Sequence, residues 1–327
     1  MTDPRPDTAS VPGRPAGMAY RVRDAIVRVV LPVALWLLRR APRAVFAPLA
    51  RGLAPIYLTI RRRDRAILAA NLERILGLPR GSRELRQAMR RVTRNQAALL
   101  FETIRGIADP RSVEISGLDV LAELVPRLLD AGRGFLLVTG HLGSWELVAQ
   151  AVARASDGRF HLLAKRSRIG PVTELLASLR ERAGAHVLWI DSTSLLRDML
   201  GVLRRGDGLG FAMDQKPRAY QGPVVDFLGY PTEFPAGPAA LAERTGCAVI
   251  AAFCVRTAPF QYRLLVEELL PPGHGRTGEV ELTQLFAHAI DRHIRQYPDQ
   301  WTWSYRRWLF EGRTTYRPGR ASQRELA

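Results

Sequence analysis

The chain has 327 residues, 47% of them hydrophobic, and carries 48 basic against 31 acidic side chains for a formal net charge of +17. The apolar fraction supports a packed core in one large or two small domains, and a basic excess supplied almost wholly by arginine points to anionic partners: a phospholipid surface, a phosphorylated glycolipid, an acidic carrier protein or nucleic acid. Two cysteines, Cys247 and Cys254, give neither a disulfide framework nor a metal-ligand spacing, so a reducing compartment is the default and no metal is expected.

Residues 1–17 are rich in Pro, Gly, Ala and Asp and read as a disordered tail. Residues 18–63 read as N-terminal membrane-associated helices. The uncharged run 29–38 is about half of the roughly 20 residues that a plain apolar span needs. A second apolar stretch, 44–60, is interrupted by Arg51. Arg39 and Arg40 follow the first run and no small-residue cleavage site does, so neither is a clean signal peptide. Residues 1–65 hold 13 Arg and 4 Asp, a net +9 (13 − 4). Arginines flanking short apolar runs fit helices lying in or dipping into an anionic cytoplasmic leaflet. The alternative is a helical hairpin packed on the main domain. No zinc-finger, RRM or KH signature accompanies the charge, so nucleic acid is not expected as a partner.

The main domain is expected over 64–312, followed by a tail over 313–327. Residues 64–77 have helical periodicity, with Gly77 as stop signal and Pro79 beyond. Ser82 caps a long second helix, with Leu85, Met89, Val92, Gln96, Leu99 and Leu100 on one side. A run at 113–117 and a helix over 118–131 lead to a strand at 135–138. Strands are then expected at 161–164, 186–190, 208–213, 247–255 and 261–268, and helices at 146–155, 171–183, 194–204, 237–245 and 279–297. This alternation predicts an α/β sandwich around a largely parallel sheet, preceded by N-terminal helices. Within the 247–255 run the two cysteines fall on opposite faces.

The stretch 135–146, Phe-Leu-Leu-Val-Thr-Gly-His-Leu-Gly-Ser-Trp-Glu, carries the chemistry. A buried strand ends at Gly140 and Gly143, which let backbone approach closely. Ser144 caps the following helix, so His141 sits on a strand-to-helix turn with Glu146 in the first helical turn behind it. A carboxylate there is expected to hold the imidazole tautomer, letting the ring take a proton from a substrate hydroxyl. The helix N-terminus offers N–H groups to a developing oxyanion. His186 with Asp191 and His274 with Glu279 repeat the spacing. The first pair would span about 17 Å of strand with opposite faces, and the second lies in a Pro/Gly loop.

The run Thr-Gly-His-Leu-Gly-Ser-Trp-Glu-Leu at 139–147 resembles the His-x4-Asp/Glu block of the lysophospholipid acyltransferase superfamily, and within it the bacterial lipid A biosynthesis acyltransferases. Ser144 stands where Asn is usual. Asn71-Leu72 is similar to another family element. The block Ala-Lys-Arg-Ser-Arg-Ile-Gly-Pro at 164–171 resembles the family's Tyr-Arg-Pro-x-x-Asn-Pro and places Arg166 on its functional Arg. Phe-Ala-Met-Asp-Gln-Lys at 211–216 matches the Asp block, where Asp214 is expected to bind Arg166 or position the acceptor. Gly237 falls at a close-approach helix start within the run 222–242, Arg256 ends the next strand, and Gln-Trp-Thr-Trp-Ser-Tyr-Arg-Arg-Trp at 300–308 resembles the family's ending.

The resemblance implies a glycerolipid-acyltransferase-like fold with His141, Glu146 and Arg166 catalytic and Asp214, Gly237 and Arg256 binding substrate. It implies a membrane-associated O-acyltransferase at the cytoplasmic face of the inner membrane. The acyl thioester of acyl carrier protein or coenzyme A is a co-substrate, and the acceptor is a lipid A precursor or related glycolipid. No nucleophile elbow of Gly-x-Ser-x-Gly type is present, so direct attack without an acyl-enzyme is expected. The alternatives are acylation of another glycolipid or lysophospholipid, such as a mannosylated inositol lipid, and a non-catalytic basic membrane-binding protein.

Overall fold

A computed structural model describes residues 18–167, 169–217, 222–308, 310–311 and 315–316. The expected tail 1–17, and all of 313–327 but residues 315 and 316, lie outside the described residues. The chain opens with α1 (Met18–Arg40), α2 (Phe46–Ile60), α3 (Arg62–Ile75) and α4 (Arg83–Ala108). Ser82 caps α4 as expected, its Oγ accepting from the Leu85 N–H at 3.0 Å. Leu85, Val92 and Leu99 are buried on the α4 face, while Leu100, expected with them, is 58% exposed. A residue next to Leu99 is turned about 100° around the helix, which takes it off the stripe.

Strands and helices then alternate: β1 (Glu114–Ser116), α5 (Leu118–Asp130), β2 (Phe135–Thr139), α6 (Trp145–Ala155), β3 (Phe160–Ala164), α7 (Gly170–Arg182), β4 (Ala185–Trp189), α8 (Leu195–Arg204) and β5 (Gly208–Ala212). A hairpin follows, β6 (Val224–Phe227) and β7 (Tyr230–Glu233), turning through Leu228 and Gly229, both at positive φ. The chain continues as α9 (Gly237–Thr245), β8 (Ala248–Ala258), β9 (Gln261–Leu270) and α10 (Glu279–Gln296). The seven-stranded sheet has the order β1-β9-β8-β2-β5-β3-β4, and only β8–β9 pairs antiparallel. The expected largely parallel α/β sandwich is the observed fold.

Side chains alternate across the sheet and feed two cores. Leu136, Val138, Leu209, Phe211 and Cys247 face α8, α9, α10 and three tryptophans, Trp301, Trp303 and Trp308. Phe135, Leu137, Ile250 and Cys254 face α4, α5 and α6. The cysteines therefore stand on opposite faces, as a period of two requires. Phe46 of α2 is buried in the second core and meets Phe260 edge-on at 5.3 Å. Helix α1 is different: Val22, Ile26, Val29, Val33 and Trp36 are all more than half exposed. Among the described residues no helix is long and apolar enough to cross a membrane.

Candidate active site

The site forms where β2 and β5 end side by side. These strands are parallel, with Thr139 opposite Ala212. Two residues further along each chain stand His141 and Asp214, so the register itself brings them together at the C-terminal edge of the sheet, where α/β folds place their ligands. His141 Nδ1 lies 2.6 Å from Asp214 Oδ1. The backbone N–H of His141 donates to Asp214 Oδ2 at 2.7 Å, and the indole N–H of Trp301 donates to the same oxygen at 2.7 Å. Asp214 is 2% exposed. Burial works to raise its pKa. The His141 charge and the hydrogen bonds from His141 and Trp301 overcome it and hold the carboxyl below the usual carboxylate range. An ionised carboxylate can only accept, so Nδ1 carries the proton and Nε2 presents its lone pair. The Gln215 side chain reaches that Nε2 at 3.1 Å, the position a substrate hydroxyl takes when it gives up its proton.

Burial also disfavours a charged His141. The Asp214 charge, the bond to it and the more distant Glu146 charge outweigh burial and lift the imidazole above its ordinary 6.5. The ring packs edge-on against Trp145 at 4.7 Å. Glycines make this turn possible. A Cβ on Gly140 would come within 3.1 Å of Asp214 Oδ2, and Gly143, at φ +62°, would place one 2.1 Å from the Cys254 carbonyl. Ser144 caps α6 as expected: its Oγ accepts from the Leu147 N–H and from the Thr103 hydroxyl. The amides of Gly143 and Ser144 are bonded to the carbonyls of Gln300 and Cys254. Potential oxyanion donors are therefore the first-turn amides of Trp145 and Glu146, which have no intrahelical acceptor.

The orienting partner expected for His141 is thus corrected. Asp214 holds the ring, and Glu146 instead forms a two-pronged ion pair with Arg180 of α7, Arg180 Nε donating at 2.9 Å. The physical reason is direction: the first turn of α6 points Glu146 toward α7, while the sheet register delivers Asp214. Nor does Asp214 bind Arg166. Arg166 pairs with Asp191 and stacks over Trp189 at 4.6 Å. Arg256, expected to bind substrate, is held inside the fold, its guanidinium donating twice to buried Glu102 at 2.9 and 2.8 Å. Tyr262 and the Phe260 N–H complete that carboxylate's bonding. Gly237 does start a helix, but nothing lies within 4 Å of where its Cβ would be, so no close approach fixes it as glycine. Asn71 is buried and donates to the Trp303 carbonyl at 2.8 Å, tying α3 to the tryptophan segment that supports Asp214.

A cavity of about 190 Å³ opens beside His141. Its walls are mostly apolar: Leu137, Ala149, Phe160, Leu162 and Leu176. Polar groups also line it, among them His141, Glu146, Lys165 and Arg180. Both thiols are buried away from nucleophilic duty, burial pushing Cys247 up to about 11 and raising Cys254 as well. Among the described residues no His, Cys, Asp and Glu cluster has a metal-ligand arrangement. The arrangement suits proton abstraction from a hydroxyl beside an apolar slot. Gln215, Trp301 and Arg180 escaped the sequence reading. Gln215 follows Asp214 directly and Trp301 sits in the aromatic block, so both lay within noted motifs, whereas nothing marks Arg180 among so many arginines.

Comparison with known proteins adds the following. Residues 20–310 match the family model described as bacterial lipid A biosynthesis acyltransferase. A phosphatidylinositol mannoside acyltransferase of Mycobacterium tuberculosis H37Rv is 27% identical over 258 residues, 74% of this chain and 76% of that protein. The phosphatidylinositol mannoside acyltransferase of Mycolicibacterium smegmatis is 30% identical over 185 residues, 55% of this chain and 59% of that protein.

Proposed function

Because the chain belongs to the bacterial lipid A biosynthesis acyltransferase family, and is a glycolipid acyltransferase, we propose that it moves a fatty acyl group from a thioester to a hydroxyl of a phosphatidylinositol mannoside-like acceptor. Carrier-bound and coenzyme A thioesters present the same reacting group. The observation that carries the mechanism is the 2.6 Å contact from His141 Nδ1 to Asp214. The acceptor hydroxyl displaces Gln215 from Nε2 and loses its proton to that nitrogen as its oxygen attacks the thioester carbonyl. The tetrahedral oxyanion is met by N–H groups at the start of α6. Collapse expels the thiolate, which takes the proton back from His141. Asp214 keeps the tautomer and stabilises the transient imidazolium. The apolar cavity suits the acyl chain. Arg166 and Lys165 at the strand ends suit phosphate on donor or acceptor.

The exposed apolar face of α1 and its arginines support work at the cytoplasmic face of the membrane, with the acceptor lipid in the same leaflet. The test is direct. Purified protein is incubated with an acyl thioester and a mannosylated inositol phospholipid, and products are read by mass spectrometry. One added acyl mass on the acceptor is expected, abolished by His141→Ala. Acylation of a lipid A precursor but not of the mannosylated lipid would overturn the acceptor assignment, and undiminished transfer by His141→Ala would overturn the mechanism.

A further inference from the structure

Helix α7 is a wall between two spaces. Leu176 and Arg180 face the cavity beside His141, whereas Leu175, Leu179 and Arg182 face a separate groove of about 980 Å³ between α7 and α1. Leu31 and Leu35 of α1 form the opposite side of that groove. An ion pair joins the two helices, Arg28 donating to both carboxylate oxygens of Glu174 at 2.7 and 3.1 Å. The groove runs into a smaller cavity of about 180 Å³, with which it shares Arg39, Leu179 and Arg182, and to which Arg154 adds a third guanidinium.

The three arginines come from the last turns of three different helices, α1, α6 and α7. One arginine at a helix C-terminus is explained by the helix dipole. Three around one cavity repel one another, and among the described residues no carboxylate is paired with any of them. Arg180 and Arg256, with side chains only 14% and 16% exposed, each meet an acid, Glu146 and Glu102, whereas Arg39, Arg154 and Arg182 are exposed and open to a ligand from outside. A cationic cavity that opens into an apolar groove is complementary to an anionic amphiphile.

We propose that this groove is a binding site for an anionic phospholipid. The phosphate sits among Arg39, Arg154 and Arg182, whose planar forks match its oxygens. One acyl chain lies along the apolar channel between α1 and α7. The groove volume is in the range of sites that bury a lipophilic ligand. Since α7 separates this lipid from His141, it is a membrane lipid holding α1 against a wall of the catalytic cavity, and the inference does not depend on which acceptor is acylated.

The full-length protein in neutral detergent is titrated with dioctanoyl phosphatidylglycerol, binding being read by native mass spectrometry and calorimetry. Saturable binding at one site is expected. R39A/R154A/R182A should weaken it at least tenfold, while the charge-matched R83A/R90A/R94A on the exposed face of α4 should not. Should the triple variant fail to fold, R182E alone and the groove-filling Leu175→Trp carry the same expectation. Dioctanoylglycerol, which lacks the phosphate, and glycerol phosphate, which lacks the acyl chains, should each bind at least tenfold more weakly. The proposal is overturned if the folded variants bind like the wild type, if the α4 variant loses as much, or if glycerol phosphate alone binds as tightly as the lipid. Binding of coenzyme A that depends on the same three arginines and is not displaced by phosphatidylglycerol would also overturn it, reassigning the cavity to the donor's phosphates.

Discussion

His141 and Asp214 meet because Thr139 and Ala212 are partners across β2 and β5, and each functional residue lies two positions beyond its partner. The same arithmetic explains Arg166 and Asp191. Ala164 pairs with Trp189 across β3 and β4, and the residues two further on form an ion pair. Parallel strands ending at a common edge thus turn sequence offsets into contacts between side chains 73 and 25 residues apart. In the proposed mechanism His141 is the base and Asp214 its positioning residue.

Trp301→Phe removes one of three N–H donors to a buried carboxylate, and leaving that oxygen short of a partner costs about 1–3 kcal/mol. Asp214 is held below its unfolded value, so its contribution to stability is present above roughly 3.8 and is lost as pH falls through the folded value. The stability gap between wild type and Trp301→Phe, measured by denaturant unfolding, should therefore be widest near neutral pH and narrow below that point. A gap that widens in acid contradicts the assignment.

How much of this was legible without coordinates follows from what each signal depends on. The strand-turn-helix around His141 is local: its apolar run, its glycines and the Ser144 cap lie within twelve residues, and all appear where expected. Asp214 and Arg256 stand out as residues in the sequence, but their partners in the fold, His141 and Glu102, do not. Partner choice depends on strand register and side-chain direction, which periodicity does not encode. Glu146 shows the cost of reasoning along the chain alone, because its nearest sequence neighbour with chemistry, His141, is not the side chain it bonds. Arg180 supplies that bond from 34 residues away and has no local signature.

Arg256→Ala should act on stability and not on substrate affinity. It leaves Glu102, 2% exposed at its side chain, without its guanidinium partner. Breaking one side of such a buried pair costs about 3–5 kcal/mol. Urea unfolding should report a loss of that order, while KM for donor and acceptor stays near wild type in the protein that remains folded. A raised KM with unchanged stability would return Arg256 to substrate binding.

Glu146 and Arg180 should behave as a coupled pair. Their side chains are 12% and 14% exposed, so either alone leaves a poorly solvated charge beside the cavity. In a double-mutant cycle Glu146→Ala with Arg180→Ala should cost less stability than the sum of the singles, with a coupling of about 0.5–3 kcal/mol. Additive effects would mean that the ion pair does not form in solution.

The sharpest separation of Asp214 from Glu146 is the pH dependence of kcat/KM for acyl transfer in Asp214→Asn and Glu146→Gln proteins. The base works only when His141 is neutral, so activity rises with pH through a His141 pKa that Asp214 holds above 6.5. Asp214→Asn should lower the rate by on the order of 10²–10⁴ and move the acid limb to lower pH, since the charge that favoured the imidazolium is gone. Glu146→Gln should move the limb in the same direction by a smaller amount and keep more activity. An acid limb left in place by Asp214→Asn, with the larger shift and loss in Glu146→Gln, would contradict the account and return the orienting role to Glu146.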